Sequence, residues 1–208
     1  MKEETIVRNI IDTCHLVHNK GLVSGSGGNI SVRQGNEIWI TPSGMSFEML
    51  KLGDIVRINM DGEYEGNIRP SKEISMHLNC YKTRENIKAV VHVHSVYAVA
   101  LSCLKNTDSN CVMPMYTPGY SLRVGNLPVL PYMIPGSMML AQASAEAILN
   151  RNSVLLGNHG LLTVGSTIEE ALNLAEEIEE NAQIHFIVGD KGQALNQQQV
   201  EQLKISYS

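Results

Sequence analysis

No stretch of the chain stays apolar for the roughly 18 residues that a membrane-spanning helix needs, so the sequence predicts no membrane segment. The first residues, MKEETIVRNI, mix charges of both signs and lack the apolar centre of a secretory leader, which leads to the expectation of a cytoplasmic protein. Basic residues are scattered, and 16 Lys and Arg stand against 21 Asp and Glu, a formal net charge of -5. With no basic run there is no footprint for a phosphate backbone, and nucleic acid is excluded as the main partner. The four cysteines, Cys14, Cys80, Cys103 and Cys111, form no C-x-x-C pair. They read as small buried apolar side chains or idle thiols, not as a disulfide frame. Repeats, linkers and low-complexity segments are missing too. What remains, 208 residues of which 43% are hydrophobic and 18% charged, suits one compact domain over residues 1–208 with its own core.

Ile6, Val7, Ile10, Ile11, Cys14 and Val17, three and four residues apart, predict an amphipathic opening helix from Glu3 to Lys20. A glycine-rich stretch, Ser24 to Asn29, then leads into Ile30–Arg33 and, past a glycine turn, Glu37–Thr41, which predicts a hairpin. A short strand is expected at Asp54–Asn59. Pro70-Ser71-Lys72-Glu73 opens a helix running to Lys82, with Ser71 as its cap and Glu73 in its first turn. Lys88–His94 alternates as a strand and Val96–Leu104 reads as a helix. Cys111–Pro135, rich in Pro, Gly and Tyr, reads as loops and short strands. Ser137–Asn150 is expected to be helical, with strands at Val154–Leu156 and Leu161–Val164 around a Gly157-Asn158-His159-Gly160 turn. Thr167-Ile168-Glu169-Glu170 is a capping box for a helix reaching Val188. Early strands with helices before, between and after them indicate an α/β or α+β layered fold with antiparallel hairpins.

Chemistry is signalled first by Val90-Val91-His92-Val93-His94. Alternation along a strand sends His92 and His94 to one face and Val91 and Val93 to the other, so the pair reads either as two metal ligands or as two partly exposed histidines. His159, in a tight glycine turn at the end of an apolar strand, is the candidate third ligand, and three neutral imidazoles with one open or carboxylate position make the usual catalytic zinc site. His15, His18 and His185 read as helix-surface residues. His77, four residues after Glu73 on the same helix face, reads as a supporting or packing residue outside the ligand set. The loop Ser24–Asn29 is not a dinucleotide fingerprint, because it lacks G-x-G-x-x-G and sits between a helix and a strand. It is not a P-loop either, because no Gly-Lys-Ser/Thr follows. It is left as an ordinary turn or an anion-binding nest, together with Thr41-Pro42-Ser43-Gly44 and the helix start at Ser71-Lys72.

Gly27-Gly28-Asn29, Thr41-Pro42-Ser43-Gly44, Pro70-Ser71-Lys72-Glu73, His92-Val93-His94 and Asn158-His159-Gly160, in this order, resemble the class II aldolase/adducin family from residue 5 to residue 188. Within it the chain is most similar to the small bacterial L-fuculose-1-phosphate aldolase branch. The resemblance implies a three-layer α/β/α sandwich around a mainly antiparallel central sheet, assembled as a homotetramer with active sites at subunit interfaces. It implies that His92, His94 and His159 bind Zn2+, or else Mn2+ or Co2+, and that Glu73 is the acid/base and a further metal ligand. A substrate phosphate would lie against Gly28, Asn29, Ser43, Gly44, Ser71 and Lys72, where Lys72 replaces the second hydroxyl residue that relatives usually carry. Tyr132 would serve the aldehyde, with Tyr116 and Tyr207 as weaker matches. The expected reaction is reversible cleavage of a ketose 1-phosphate, such as L-fuculose 1-phosphate, to dihydroxyacetone phosphate and a small aldehyde through an enediolate. The rival is decarboxylation of a 3-oxo-tetronate 4-phosphate, which Arg123-Val124-Gly125, Pro131-Tyr132 and Pro135-Gly136 also resemble. The family's epimerase, with Asp at the position of Glu73, and a non-catalytic adducin-like binding module rank below both.

Overall fold

The computed structural model describes residues 2–105 and 108–207. Helix α1 (Glu3–Asn19) buries the stripe that its spacing predicts, from Ile6 to Val17. The hairpin of β1 (Asn29–Gln34) and β2 (Glu37–Ile40) follows, and β3 (Val56–Asn59) adds to its outer edge. Next come α2 (Ile74–Thr83), β4 (Ala89–Val93) and α3 (Val96–Ser102). After α4 (Pro118–Arg123), β5 (Val129–Leu130) and α5 (Met138–Ala147), β6 (Ser153–Leu156) and β7 (Gly160–Gly165) form a second hairpin. The long α6 (Ile168–Val188) and α7 (Gln197–Tyr207) complete the chain.

The strands form one seven-stranded sheet in the order β3-β2-β1-β4-β7-β6-β5, antiparallel throughout except for the β5–β6 pair. Helices cover both faces, giving the α/β/α layering. On one face α1, α3, α4 and α6 pack on Ile30, Val91, Val93, Leu155 and Leu161. On the other, α2 and α5 pack on Ile38, Ile40, Val56, Ile58, Val90, Val154, Leu156, Leu162 and Val164. All five residues of β4 are therefore buried, and the face that carries His92 is a second core, not an exposed surface. Among the described residues no helix is long and apolar enough to cross a membrane.

Four local departures from the sequence reading have physical causes. Glu73, not Ser71, takes the cap position of α2, and Ser71 Oγ instead accepts the Glu73 N–H at 3.2 Å. At α6 Thr167 Oγ1 accepts the Glu170 N–H, but the reciprocal half of the box is displaced by one residue, Glu170 accepting from the N–H and hydroxyl of Ser166. Segment 111–135 contains the short helix α4, capped by Thr117 with Pro118 in its first turn. The tail, for which the sequence reading gave no element, folds as α7, which buries none of its residues.

Candidate functional site

Antiparallel pairing gathers the site at one end of the sheet. Asn29 of β1 is opposite His92 of β4, and His92 is opposite Leu162 of β7. His94 lies just past the end of β4, and His159 is in the turn between β6 and β7, after Asn158 at φ 54°. The three imidazole rings sit with centroids 4.8 to 5.1 Å apart. Two glycines make room for them. A Cβ on Gly27 would lie 2.8 Å from His94 Nδ1, and one on Gly160 would lie 2.5 Å from the Val93 carbonyl oxygen and 2.8 Å from the His94 ring. The glycine-rich loop thus admits a histidine as well as forming a turn.

One donor atom from each of Glu73, His92, His94 and His159 lies within 4.8 Å of the others, so these side chains can hold a metal ion. Tautomers are prepared for it. His92 donates Nδ1–H to the Leu161 carbonyl at 3.0 Å, which turns Nε2 toward His94 Nε2 at 2.9 Å and Glu73 Oε2 at 3.2 Å. Burial, with repulsion from His92 and His159, pushes His94 from 6.5 to about 3. Burial and His92 push His159 to about 4. Both are neutral at ordinary pH and free to act as ligands. Burial opposes the charge on Glu73, but His92 and the hydrogen bond from Asn29 outweigh it and hold the carboxyl below the usual range. Its Oε1 is buried without a hydrogen-bond partner, as is Nδ1 of His159. Three imidazoles and a carboxylate with an uncommitted oxygen fit a divalent ion.

Glu73 is held by Asn29, expected at the phosphate, and by His77, expected as a supporting residue, with Ser31 and Tyr81 behind them. Asn29 Nδ2 donates to Glu73 Oε2 at 2.8 Å, and behind Asn29 lie His77, Ser31 and Tyr81 in hydrogen-bond contact, all buried. The signal was the i, i+4, i+8 spacing of Glu73, His77 and Tyr81, which stacks them on one side of the α2 region.

The turns expected to take the phosphate are locked together by the antiparallel bridge between Pro42 and Pro70. That bridge uses the Ser43 N–H on the Arg69 carbonyl and the Ser71 N–H on the Thr41 carbonyl, so neither amide is a free anion donor. Gly28 and Gly44 both have positive φ, at 76° and 77°, and Lys72 is exposed without an ion pair among the described residues. The loop bearing Tyr132 packs on the same region, since a Cβ on Gly136 would meet the Lys72 carbonyl at 3.0 Å, but the Tyr132 side chain is 62% exposed. Tyr116 turns to His185, with its hydroxyl 3.2 Å from Nδ1, and Tyr207 is exposed at the end of α7.

Residues 8–186 match the Class II Aldolase and Adducin N-terminal domain family. The chain belongs to this family. A 3-oxo-tetronate 4-phosphate decarboxylase of Escherichia coli O6:H1 is 40% identical over 174 residues, 83% of this chain and 82% of that one. An L-fuculose phosphate aldolase of Methanococcus maripaludis is 37% identical over 180 residues, 86% and 96% of the two chains. The crystal structure of YgbL from Escherichia coli superposes with a TM-score of 0.92 at 33% identity, over 97% of this chain and 99% of that one. As a member of the family the chain is a lyase of the aldolase or decarboxylase kind with a candidate divalent-metal site.

Proposed function

We propose that the chain is a divalent-metal-dependent carbon–carbon lyase of phosphorylated sugars, and that its reaction is the decarboxylation of a 3-oxo-tetronate 4-phosphate. The observation that carries the lyase reading is the convergence of Glu73, His92, His94 and His159 on one point. The choice of reaction is supported by the 40% identical decarboxylase and by Lys72, an extra cation beside Glu73 that suits a substrate with a carboxylate as well as a phosphate. This reverses the order that the sequence alone favoured. Cleavage of a ketose 1-phosphate stands second, supported by the 37% identical aldolase.

His92, His94 and His159 would hold the metal, zinc first by its imidazole preference, with manganese or cobalt as alternatives. When bound, a divalent ion polarises the substrate carbonyl as a Lewis acid. The phosphate anchors against Gly28, Asn29, Ser43, Gly44, Ser71 and Lys72, which fixes the carbon presented to Glu73. As the bond to the carboxyl group breaks, its electron pair stays with C2 and carbon dioxide leaves. Glu73 then delivers a proton to C2, yielding dihydroxyacetone phosphate. Because Glu73 is ionised in the free site, it first takes that proton from the incoming substrate's hydroxyl or from solvent. The protein acts as a cytoplasmic homotetramer, in which Tyr132, Tyr116 or Tyr207 closes the open side of a site.

NMR of metal-loaded protein in deuterated water tests the reading. With 3-oxo-tetronate 4-phosphate, dihydroxyacetone phosphate carrying one deuterium should appear. With dihydroxyacetone phosphate and L-lactaldehyde in its place, a ketose 1-phosphate would favour the second reaction. Inertness toward both overturns the lyase. Full activity of metal-loaded Glu73→Gln overturns the role of Glu73.

A further inference from the structure

We propose that His77 is a positioning residue, which holds the Asn29 amide in the one orientation that ties down Glu73 Oε2 and leaves Oε1 to exchange the proton. The proposal rests on the reading of Glu73 as the acid/base. Five polar side chains run in line from the core to the donor cluster. Tyr81 OH is 2.7 Å from Ser31 Oγ, which is 2.7 Å from His77 Nδ1. His77 Nε2 is 2.5 Å from Asn29 Oδ1, and Asn29 Nδ2 is 2.8 Å from Glu73 Oε2. Ser31 and His77 are 0% exposed and Tyr81 is 1% exposed, so no water is at hand to repair a wrongly directed bond.

The direction of every bond follows from the Asn29 amide, whose NH2 faces Glu73 Oε2 and whose carbonyl oxygen faces His77. A carbonyl oxygen only accepts, so His77 carries its proton on Nε2. Nδ1 is then a lone pair, Ser31 donates to it, and Ser31, its single proton spent, accepts from Tyr81. All donors point towards Glu73. Burial, helped by His92, pushes His77 from 6.5 to about 3 and keeps it neutral, which restricts it to one tautomer at a time. The other tautomer would set a lone pair against Asn29 Oδ1. An amide flip relieves that contact only by turning the carbonyl oxygen onto the carboxylate. With Oε2 occupied by Asn29, the free oxygen is Oε1, buried without a hydrogen-bond partner and 3.5 Å from His159 Nε2.

A double-mutant cycle in the metal-loaded full chain separates positioning from packing, using the two NMR assays above. His77→Leu should lower kcat by about ten- to a hundredfold with a much smaller change in KM. His77→Gln, which keeps one donor and one acceptor, should restore most of the loss. In an Asn29→Ala background His77→Leu should add nothing, because it acts through that amide. Additive losses, or a raised KM at unchanged kcat, overturn the proposal. Nitrogen-15 NMR gives a readout free of activity, with His77 expected as the neutral Nε2–H tautomer across the pH range in which a free imidazole titrates, with or without metal. The Nδ1–H tautomer overturns the proposal. If Glu73→Gln is inactive and the cycle is additive, only the role of His77 falls. If Glu73→Gln with metal bound is fully active, the acid/base reading falls first.

Discussion

His92 spends its Nδ1 proton on the Leu161 carbonyl, so that only Nε2 faces Glu73 and His94, and that orientation makes a core histidine available as a ligand. Removing it takes one donor from the cluster and leaves Glu73 without its 3.2 Å neighbour. His92→Ala should therefore reduce metal retained after dialysis from about one ion per chain to a trace, read by elemental analysis, and abolish the rise in melting temperature on adding metal. Unchanged metal content would put the ion elsewhere. Acid stability follows from His77. Its pKa is lowered from 6.5 to about 3 by burial and His92, so below pH 6.5 the unfolded chain binds a proton that the native chain refuses. Stability then falls with falling pH, by up to about 1.4 kcal/mol per pH unit for such a group. His94 and His159, also lowered, act in the same sense, and Glu73 joins them as pH falls through 4.5, because its carboxyl is held ionised in the native state. Denaturant midpoints of the metal-free chain should drop from pH 6.5 downward, and His77→Gln should remove one histidine's share of that slope. An unaltered slope would mean that His77 is not buried neutral.

Strands and turns carry their own constraint at Gly160, the first residue of β7. A Cβ there would stand 2.5 Å from the Val93 carbonyl oxygen, a backbone atom that cannot swing aside, and 3.0 Å from His92 Cε1. Gly160→Ala must part β4 from β7 at the point where His92 of β4 meets the turn that carries His159. It should cost about 1–3 kcal/mol in denaturant unfolding and weaken metal binding in titrations. Gly53→Ala, where the added carbon meets nothing within 4 Å, is the control that should do neither. Elements of this kind were legible in the sequence because their signals are local. The H-x-H alternation, the glycine turn around His159 and the apolar stripe of α1 each declare themselves within a few residues. Elements without such signals were not. β5 lies where only unplaced short strands were expected and pairs in parallel with a β6 more than twenty positions on, and α7 has no buried face. The link from Ser31 and Asn29 to His77 joins β1 to α2 across 46 and 48 positions, and no local pattern reports such a contact. Both faces of His92's strand being core was likewise invisible, since a run of Val and His reads the same beside water or beside a second helix layer.

Viewed as a whole, the molecule closes the sheet on both faces and leaves one group of exposed apolar side chains beside the turn at Lys72. Tyr132, Ile134, Met138 and Met139 are 62%, 69%, 63% and 70% exposed along one short stretch leading into α5. Gly136, in the middle of that stretch, abuts the Lys72 carbonyl, so whatever covers these side chains also approaches the turn expected to hold the phosphate. Grouped exposed apolar side chains mark association surfaces, and closed symmetric assembly is the commonest way a soluble chain covers one. A homotetramer joined here would bring a neighbour's residues to the open side of each site. Carboxylates introduced at the contact then become costly to desolvate. The double substitution Ile134→Glu/Met139→Glu touches neither the donor cluster nor the line from Tyr81 to Glu73, so the metal should stay bound while the assembly dissociates. Sedimentation velocity should show the tetramer replaced by smaller species, and kcat/KM should fall by at least about tenfold as the neighbour's contribution is lost. A variant that sediments as monomer at full activity would show each chain's site to be complete in itself, and a variant that stays tetrameric would move the interface to another face of the sheet.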